Sequence, residues 1–377
     1  MIIEVDRDKL LRSINIADSI ITSKQVSTIL SNCLMNVTRD QIEILSTDNE
    51  IGIRTRLDVS ADSDGSFTIY GRKLSGILKE LPAGIVVLDV NKDYLIDIRT
   101  KEGKVKGHYT LIGTVSDEFP EIPTYSDEDF IEIEQPVLKE IIRRVVYAAA
   151  TDTIKPVFNG VYLLSESAGT LTAVATDSRR LSMTSMKISE DIDLKDGVII
   201  PLKTINEILR LLNTSGVCKF FIGENQCFFR INETEVISRV VEGNFPNYKQ
   251  VIPKEHVIKA VVNKESILES LRRAMIFTRE PANKIVISIK MDYLRIEVKT
   301  PDLGEAEEEL SIETDGDYEI TIGVNVQFLI DSIREIDSSI IQLSITGEKS
   351  PITVTPVDDE DYTSVIMPIQ IKPSSGD

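Results

Sequence analysis

Two histidines, His108 and His256, three cysteines, Cys33, Cys218 and Cys227, and a surplus of carboxylates are the groups in this 377-residue chain that could do acid–base, nucleophilic or metal chemistry. The histidines fall in different thirds of the sequence. No GxSxG, HExxH, GxxxxGK or GxGxxG accompanies them, so no nucleophile, zinc or phosphate site is spelled out. The cysteines are odd in number and lack CxxC or Cys/His spacing. Folding the segment Val217 to Ile231 about a Gly223 to Gln226 turn sets Cys218 near Ile231 and Cys227 near Ile222, so these thiols do not face each other. They read as structural thiols of a reducing compartment. The run Asp358-Asp359-Glu360-Asp361 offers oxygen ligands, but adjacent like charges without a Gly-shaped turn do not build a coordination cage, and a solvated loop is the reading. Asp177 and Asp302 could be paired carboxylates of a hydrolase; each follows a Thr or Pro at a strand end, where turn capping is the plain alternative. Neither metal, cofactor nor catalysis is expected.

The elements that would carry any site repeat at about 125 residues, a period that points to an array or ring. Phe119-Pro120 in EFPEIP and Phe245-Pro246 in GNFPNYKQVIP mark the first two ends, and Met367-Pro368 closes the last. Each third opens with an amphipathic helix: Leu10, Leu11, Ile14 and Ala17, then Leu138, Ile141, Ile142 and Val145, then Ile267, Leu268, Leu271 and Met275 after a capping-type Asn263. About 65 residues later a second follows, with Leu74, Ile77, Leu78 and Leu81, then Ile205, Ile208, Leu209 and Leu212 after Pro201, then Leu329, Ile333 and Ile336. Gly84 and Gly216 stand as stop signals. The remainder alternates with period two and is rich in Ile, Val and Thr. Each third is therefore α+β, two helices packed on antiparallel sheet, with expected domains at 1–125, 126–253 and 254–377.

A formal charge of −19 argues against a nucleic-acid partner until it is apportioned. The six helix segments carry a net +6 and leave −25 to strands and loops. Helices sharing one surface would make that surface positive on an acidic body; mixed charge on solvated helix faces is the plain alternative. The chain starts with an alternating strand at Met1 to Val5, and no apolar run approaches the roughly 18 residues that span a bilayer, so a soluble cytoplasmic protein is expected.

Thr176-Asp177-Ser178-Arg179-Arg180-Leu181, Glu242-Gly243-Asn244-Phe245-Pro246-Asn247-Tyr248 and Val365-Ile366-Met367-Pro368 resemble the bacterial sliding clamps, the β subunit of DNA polymerase III. Arg72-Lys73-Leu74 leading to Leu81-Pro82, and Phe158-Asn159-Gly160, fit the same order over the whole chain. The resemblance implies three repeated clamp domains in a head-to-tail homodimeric ring around duplex DNA. It implies a non-catalytic processivity factor for DNA replication and DNA repair that tethers the polymerase III catalytic subunit, the clamp loader, other polymerases and repair proteins through a short peptide motif.

Carried over residue by residue, the resemblance places a peptide-binding pocket at Val157, Phe158, Thr176, Ser178, Arg179, Arg180, Leu181, Pro246, Val251, Val365, Ile366, Met367, Pro368 and Ile369. Ser178 stands where the family commonly has Gly, and the tail Lys372 to Asp377 runs past the usual end. DNA-facing candidates are Lys24, Arg72, Lys73, Lys139, Arg143, Arg144, Lys203, Arg210, Arg272 and Arg273. For the dimer interface, a basic stretch with Arg99, Lys101, Lys104 and Lys106 in the first third complements Glu305, Glu307, Glu308 and Glu309 in the last. The resemblance adds Tyr109 and Leu111 packing against Ile276 and Phe277 as its apolar centre. The competing readings are an interaction scaffold that never touches nucleic acid, which the net charge favours, and the hydrolase above.

Overall fold

The computed structural model describes residues 1–21, 29–102, 107–125, 130–152, 154–316, 319–359 and 361–371. Among them are six α-helices: α1 Arg7–Asp18, α2 Gly71–Glu80, α3 Gln135–Val146, α4 Leu202–Leu211, α5 Lys264–Met275 and α6 Val326–Arg334. Each follows a strand directly and is followed by three more, so strand–helix–three strands occurs six times, twice in each third. None of these helices is long and apolar enough to cross a membrane.

Local chemistry fixes the helix ends. Asp6 accepts from the backbone N–H of Asp8 and Lys9 at 3.0 and 2.9 Å, Asn263 from Ser266 at 3.0 Å, and Asn325 from Gln327 and Phe328 at 2.9 and 3.3 Å. These are side-chain oxygens satisfying N–H groups that no helix can satisfy for itself. Helix α5 stops at Met275, so Ile276 and Phe277 fall in the turn beyond it. Gly84 and Gly216 do not cap helices. They lie several residues past α2 and α4 with φ of +132° and +99°, where they turn the chain into the strands Ile85–Val90 and Val217–Ile222. Cys218 pairs across with Ile231 and Ile222 with Cys227, as the hairpin reading requires; all three cysteines are buried and free.

The repeat and the compact units do not coincide. The chain condenses into two units, one of residues 1–136 and 206–240, the other of 137–205 and 241–377. Sheet continuity is the reason. In the first unit an eight-stranded sheet pairs Thr234–Arg239 from the middle third with Ile51–Asp58 from the first, with Glu235 opposite Arg54. In the second a nine-stranded sheet pairs Arg180–Lys187 with Tyr362–Ile366 from the last third, with Leu181 opposite Val365. Each unit also holds a smaller sheet. The five-stranded one ends on His108–Ile112, and the four-stranded one ends on Gly304–Ser311.

Helices α1 and α2 pack together over the first core, joined on top by Ser75 Oγ donating to Asn15 Oδ1 at 2.6 Å. That core gathers Leu10, Ile14, Leu74 and Leu78 with strand residues such as Ile42, Ile44, Phe67 and Leu88. Helices α5 and α6 pack likewise over a core of Ile267, Leu271, Leu329 and Ile333 with Ile287, Ile296, Leu343 and Tyr362.

The sheet joint of the first unit contains a buried ion network. Arg54 is 4% exposed and gives Nη1 to Glu235 Oε2 at 2.7 Å and Nη2 to the Ile122 carbonyl at 2.9 Å. Glu235 also takes Arg230 at 3.0 Å and Arg56 at 3.4 Å. Burial pushes the Glu235 carboxyl up, but the hydrogen bond from Arg54 and the charges of Arg54, Arg56 and Arg230 outweigh it and leave its pKa lowered. A lowered carboxylate contributes stability above its unfolded value and loses it as pH falls through the folded one. We expect Glu235→Gln to cost about 3 kcal/mol at neutral pH, because Arg54 keeps its burial and loses its closest counter-charge. Thermal melts should show the gap from the parent chain narrowing below roughly pH 4; a gap independent of pH would refute the assignment.

Candidate functional site

The segments expected to form a peptide pocket all lie in the second unit, and one apolar cluster joins three of them, those around Leu181, Tyr248 and Val365. Leu181 and Val365, opposite each other across the sheet joint, pack with Leu164, Val174 and Tyr248, and Tyr162, Met183, Phe245 and Ile252 lean on this group. The Phe245 ring stacks on Tyr162 at 4.7 Å and meets Tyr248 edge-on at 6.5 Å. Burial, with the charge of Glu166 behind it, pushes the Tyr248 phenol up to about 12, so it stays a neutral wall of the cluster. Val157 is half-buried, close to the backbone at Gly243.

Flanking these residues along the chain are partly exposed apolar ones. Val251 is 45% and Met367 42% exposed, Pro246 is exposed, and Phe158, Pro368 and Ile369 are half-buried. Met367 is fixed by its backbone, whose N–H donates to the Arg179 carbonyl at 2.9 Å, while its side chain is left to the surface. A buried apolar cluster with an exposed, re-packable methionine two residues along the chain from Val365 has the chemistry that suits a short apolar peptide. Ile366 does not belong to it. Successive strand side chains point to opposite faces, and Ile366, fully buried, joins the core under α5 and α6 while Val365 joins the pocket cluster. Ile369 forms an isolated bridge to Gly323, its N–H donating at 2.7 Å, and a Cβ on Gly323 would come within 2.4 Å of the Ile369 carbonyl.

The polar side of the site is a tight turn held by its own residues. Asp177 accepts from the backbone of Arg179 and Arg180 at 2.8 and 3.0 Å and pairs with the Arg180 guanidinium at 3.1 Å. Thr176, buried, donates to the Arg180 carbonyl at 2.6 Å. Arg180 also reaches Asp331 at 2.6 Å and lies 4.4 Å over the Phe328 ring. This occupies Asp177 as a turn cap, and Asp302 is taken by Arg279 at 2.7 Å, so the paired-carboxylate reading loses both members.

The basic residues expected to face DNA divide into two groups. Arg143 holds Glu140 with two nitrogens at 2.9 and 2.7 Å, and reaches Glu335 at 2.7 Å and Asp337 at 2.9 Å. Arg144 pairs with Glu140 at 2.5 Å and Asp359 at 2.7 Å. For both, burial works against the charge, but these hydrogen bonds and carboxylates raise the pKa instead. Arg144 thus binds α3 to the acidic loop at Asp359, and Arg143 binds it to Glu335 and Asp337 just past α6. Arg273 likewise pairs with Glu308 at 2.8 Å, joining a bore candidate to an interface candidate of the same chain. Arg72 and Arg210 are half-engaged with Asp18 and Glu207, whereas Lys73 and Arg272 are exposed, and Lys139 and Lys203 are half-buried on α3 and α4. Lys24, Lys104, Lys106, Glu360 and the tail from Lys372 lie outside the described residues. Sequence reasoning missed Lys9 and Arg12 on α1. With Arg56 and Arg210 they line a cavity of about 700 Å³ in the first unit.

Of the expected interface residues, Tyr109 is on the edge strand and 39% exposed, while Leu111 is half-buried against the first core. Phe277 is also partly buried, and Ile276 is 73% exposed. Ile112, 77% exposed, was not foreseen; its place on an edge strand is the signal that would have found it. Glu305, Glu307 and Glu309 point outward, paired across the hairpin with Lys299 at 3.2 Å and with Arg295 at 3.3 and 3.1 Å.

Ser178 has φ of +76°, a backbone region that L residues pay to enter, and its side chain is exposed. Left-handed geometry costs about 1–2 kcal/mol for a non-glycine residue, and glycine loses about 0.5–1 kcal/mol of extra chain entropy on folding. We expect Ser178→Gly to stabilise the chain by about 0.5 kcal/mol in denaturant titrations; destabilisation would mean that the hydroxyl makes a contact the turn needs.

Three family models match in succession: DNA polymerase III beta subunit N-terminal domain over residues 1–123, central domain over 132–247 and C-terminal domain over 249–370. The beta sliding clamp of Halalkalibacterium halodurans is 27% identical over 380 residues, covering 97% of this chain and 98% of its own length. That of Pseudomonas putida is 28% identical over 374 residues, covering 97% and 99%. Among solved structures, the DNA polymerase III subunit beta of Pseudomonas aeruginosa superposes with a TM-score of 0.91 at 27% identity over 98% of this chain and 100% of that one. The sliding clamp of Bacillus subtilis gives 0.92 at 26% over 99% and 100%. Matched from its first strand to its last, the chain belongs to the DNA polymerase III beta subunit family, the bacterial sliding clamps.

Proposed function

We propose that two copies of this chain join head to tail into a ring that encircles duplex DNA and serves as a polymerase processivity factor. The supporting observation is a rule of strand pairing. The last strand of the α1 repeat pairs with the last strand of the α4 repeat, and that of the α3 repeat with that of the α6 repeat. Repeat n thus joins repeat n + 3. By this rule the last strand of the α5 repeat, Gly304–Ser311, needs a partner that the chain has already passed, and the last strand of the α2 repeat, His108–Ile112, is the strand left over. Both are sheet edges with open backbone groups, which a second copy can satisfy. Ile112 and Ile276 are the exposed apolar groups near these edges, and Tyr109, Leu111 and Phe277 flank them.

In this reading the domains are 1–125, 126–253 and 254–377, and the helices face the DNA. Lys9, Arg12, Arg72, Lys73, Lys139, Lys203, Arg210 and Arg272 would meet phosphates without reading bases, which leaves the ring free to slide. The acidic exterior keeps DNA off the outside. The pocket around Leu181, Val365 and Met367 would take the short peptide of the polymerase catalytic subunit, the clamp loader, other polymerases and repair proteins. Tethering sets a local concentration of roughly millimolar for short linkers, which turns a weak peptide contact into processive synthesis. The ring itself contributes no catalysis, and its place of action is the bacterial cytoplasm.

Two measurements bear on this. Once loaded, the protein should remain on circular DNA and be lost rapidly from linear ends; equal retention on both would refute encirclement. Met367→Ala should weaken binding of a polymerase-derived peptide roughly tenfold, a typical truncation cost for an apolar anchor, and leave the native mass unchanged. Loss of the dimer instead would move Met367 out of the pocket.

A further inference from the structure

The first unit contains a recess whose charge opposes that of the protein as a whole. It has a volume of about 700 Å³ and is lined by residues of α1, the end of α4, the strand Ile51–Asp58 and the hairpin turn between Ile231 and Thr234. Its lining joins buried Thr55, Leu57 and Ile231 to four cations, Lys9, Arg12, Arg56 and Arg210, against two carboxylates, Asp58 and Glu233. The chain around it carries a net charge of −19.

The corresponding place in the second unit has the opposite charge. Helices α1 and α3 open equivalent repeats, and their buried residues match at a constant offset: Leu10, Ser13, Ile14 and Ala17 against Leu138, Ile141, Ile142 and Val145. Arg12 therefore stands where α3 has Glu140. Beyond the second helix of each pair, Asn213 follows buried Leu212 as Asp337 follows buried Ile336. In the second unit Glu140, Asp337 and Asp359 hold Arg143 and Arg144 at 2.5–2.9 Å, and the recess beside them has only about 200 Å³. The first unit replaces two of those three carboxylates, one by a cation and one by an amide, and its recess stays open. Arg56 and Arg210 still have Glu43 at 3.1 Å and Glu207 at 2.7 Å, but among the described residues no carboxylate pairs with Lys9 or Arg12.

An anion from outside can supply what the chain omits. Several cations face one space, so a polyvalent anion gains more there than a single carboxylate does. Guanidinium forks match phosphate oxygens in pairs. A recess of this volume lies within the roughly 300–1,000 Å³ of small-molecule sites, which combine an apolar lining with a few polar groups that fix orientation. We infer that the recess binds a small phosphorylated molecule of nucleotide size, its phosphates toward Lys9, Arg12 and Arg210 and its body toward Leu57 and Ile231. The inference needs only the first unit and does not rest on the ring. Duplex DNA, whose phosphates the ring reading brings to some of the same cations, is the competing occupant.

Calorimetric titration of the full chain at low salt with inorganic pyrophosphate, with ADP and with a short DNA duplex tests this. ADP should bind at least as tightly as pyrophosphate, because its body meets the apolar lining. Lys9→Gln and Arg12→Gln, both at exposed positions, should each weaken the two small anions roughly tenfold, the loss of one charge-assisted contact. Arg12→Glu, which restores the charge found at Glu140, should abolish their binding. Lys73→Gln and Arg272→Gln, exposed on α2 and α5 and outside the lining, should leave it unchanged. Equal losses in those two variants would reduce the effect to diffuse charge and overturn the site. ADP binding weaker than pyrophosphate would overturn the nucleotide-sized ligand, and duplex binding that depends on Lys9 and Arg12 while neither small anion binds would give these cations to DNA alone.

Discussion

The rest of this structure depends on the requirement that a strand edge be paired. Six copies of a strand–helix–three strand repeat each end on a strand whose outer backbone groups face away from their own repeat. Four of those six strands find partners within the chain, through joints that fuse sheets across the boundaries between thirds. This is why the molecule condenses as two units although its sequence repeats three times: the middle third gives one sheet to each neighbour. The two remaining edges among the described residues differ in chemistry, one outwardly acidic and the other with His108 and Tyr109 beside Arg99.

Charge is used in two ways that composition alone confounds. Arg54, Arg143, Arg144 and Arg180 carry full positive charges, yet each is surrounded by carboxylates at 2.5–3.4 Å and joins elements of the chain. Buried guanidinium groups of this kind hold geometry and present little field to solvent. The cations left to act at a distance are the exposed ones on helices, such as Lys9, Arg12, Lys73 and Arg272, a smaller set than the helix sequences suggest.

The cluster around Leu181 shows a similar division between fixed and adaptable parts. Leu181 and Val365 are locked by the sheet joint, and Tyr162, Phe245 and Tyr248 brace them as an aromatic wall. Met367 and Val251 remain exposed, and their backbones are anchored by hydrogen bonds to Arg179 and Tyr248. Fixed backbone with exposed apolar side chains leaves this rim free to re-pack.

The amino-acid sequence by itself determined the local elements: helix starts at Asp6, Asn263 and Asn325, the Cys218–Cys227 hairpin register, the α+β class and the threefold period. Those follow from side-chain spacing and from capping within a few residues. Tertiary structure alone decided which strand pairs with which, and so where the compact units divide. It alone decided that Ile366 joins the core under α5 and α6 while Val365 packs with Leu181, that Arg143 is consumed by Glu140, Glu335 and Asp337, and that Ile112 stands open at an edge. The physical reason is range. A cap or a hairpin is settled between neighbours along the chain, whereas a sheet joint or an ion network depends on groups far apart in sequence, whose meeting only the folded backbone arranges.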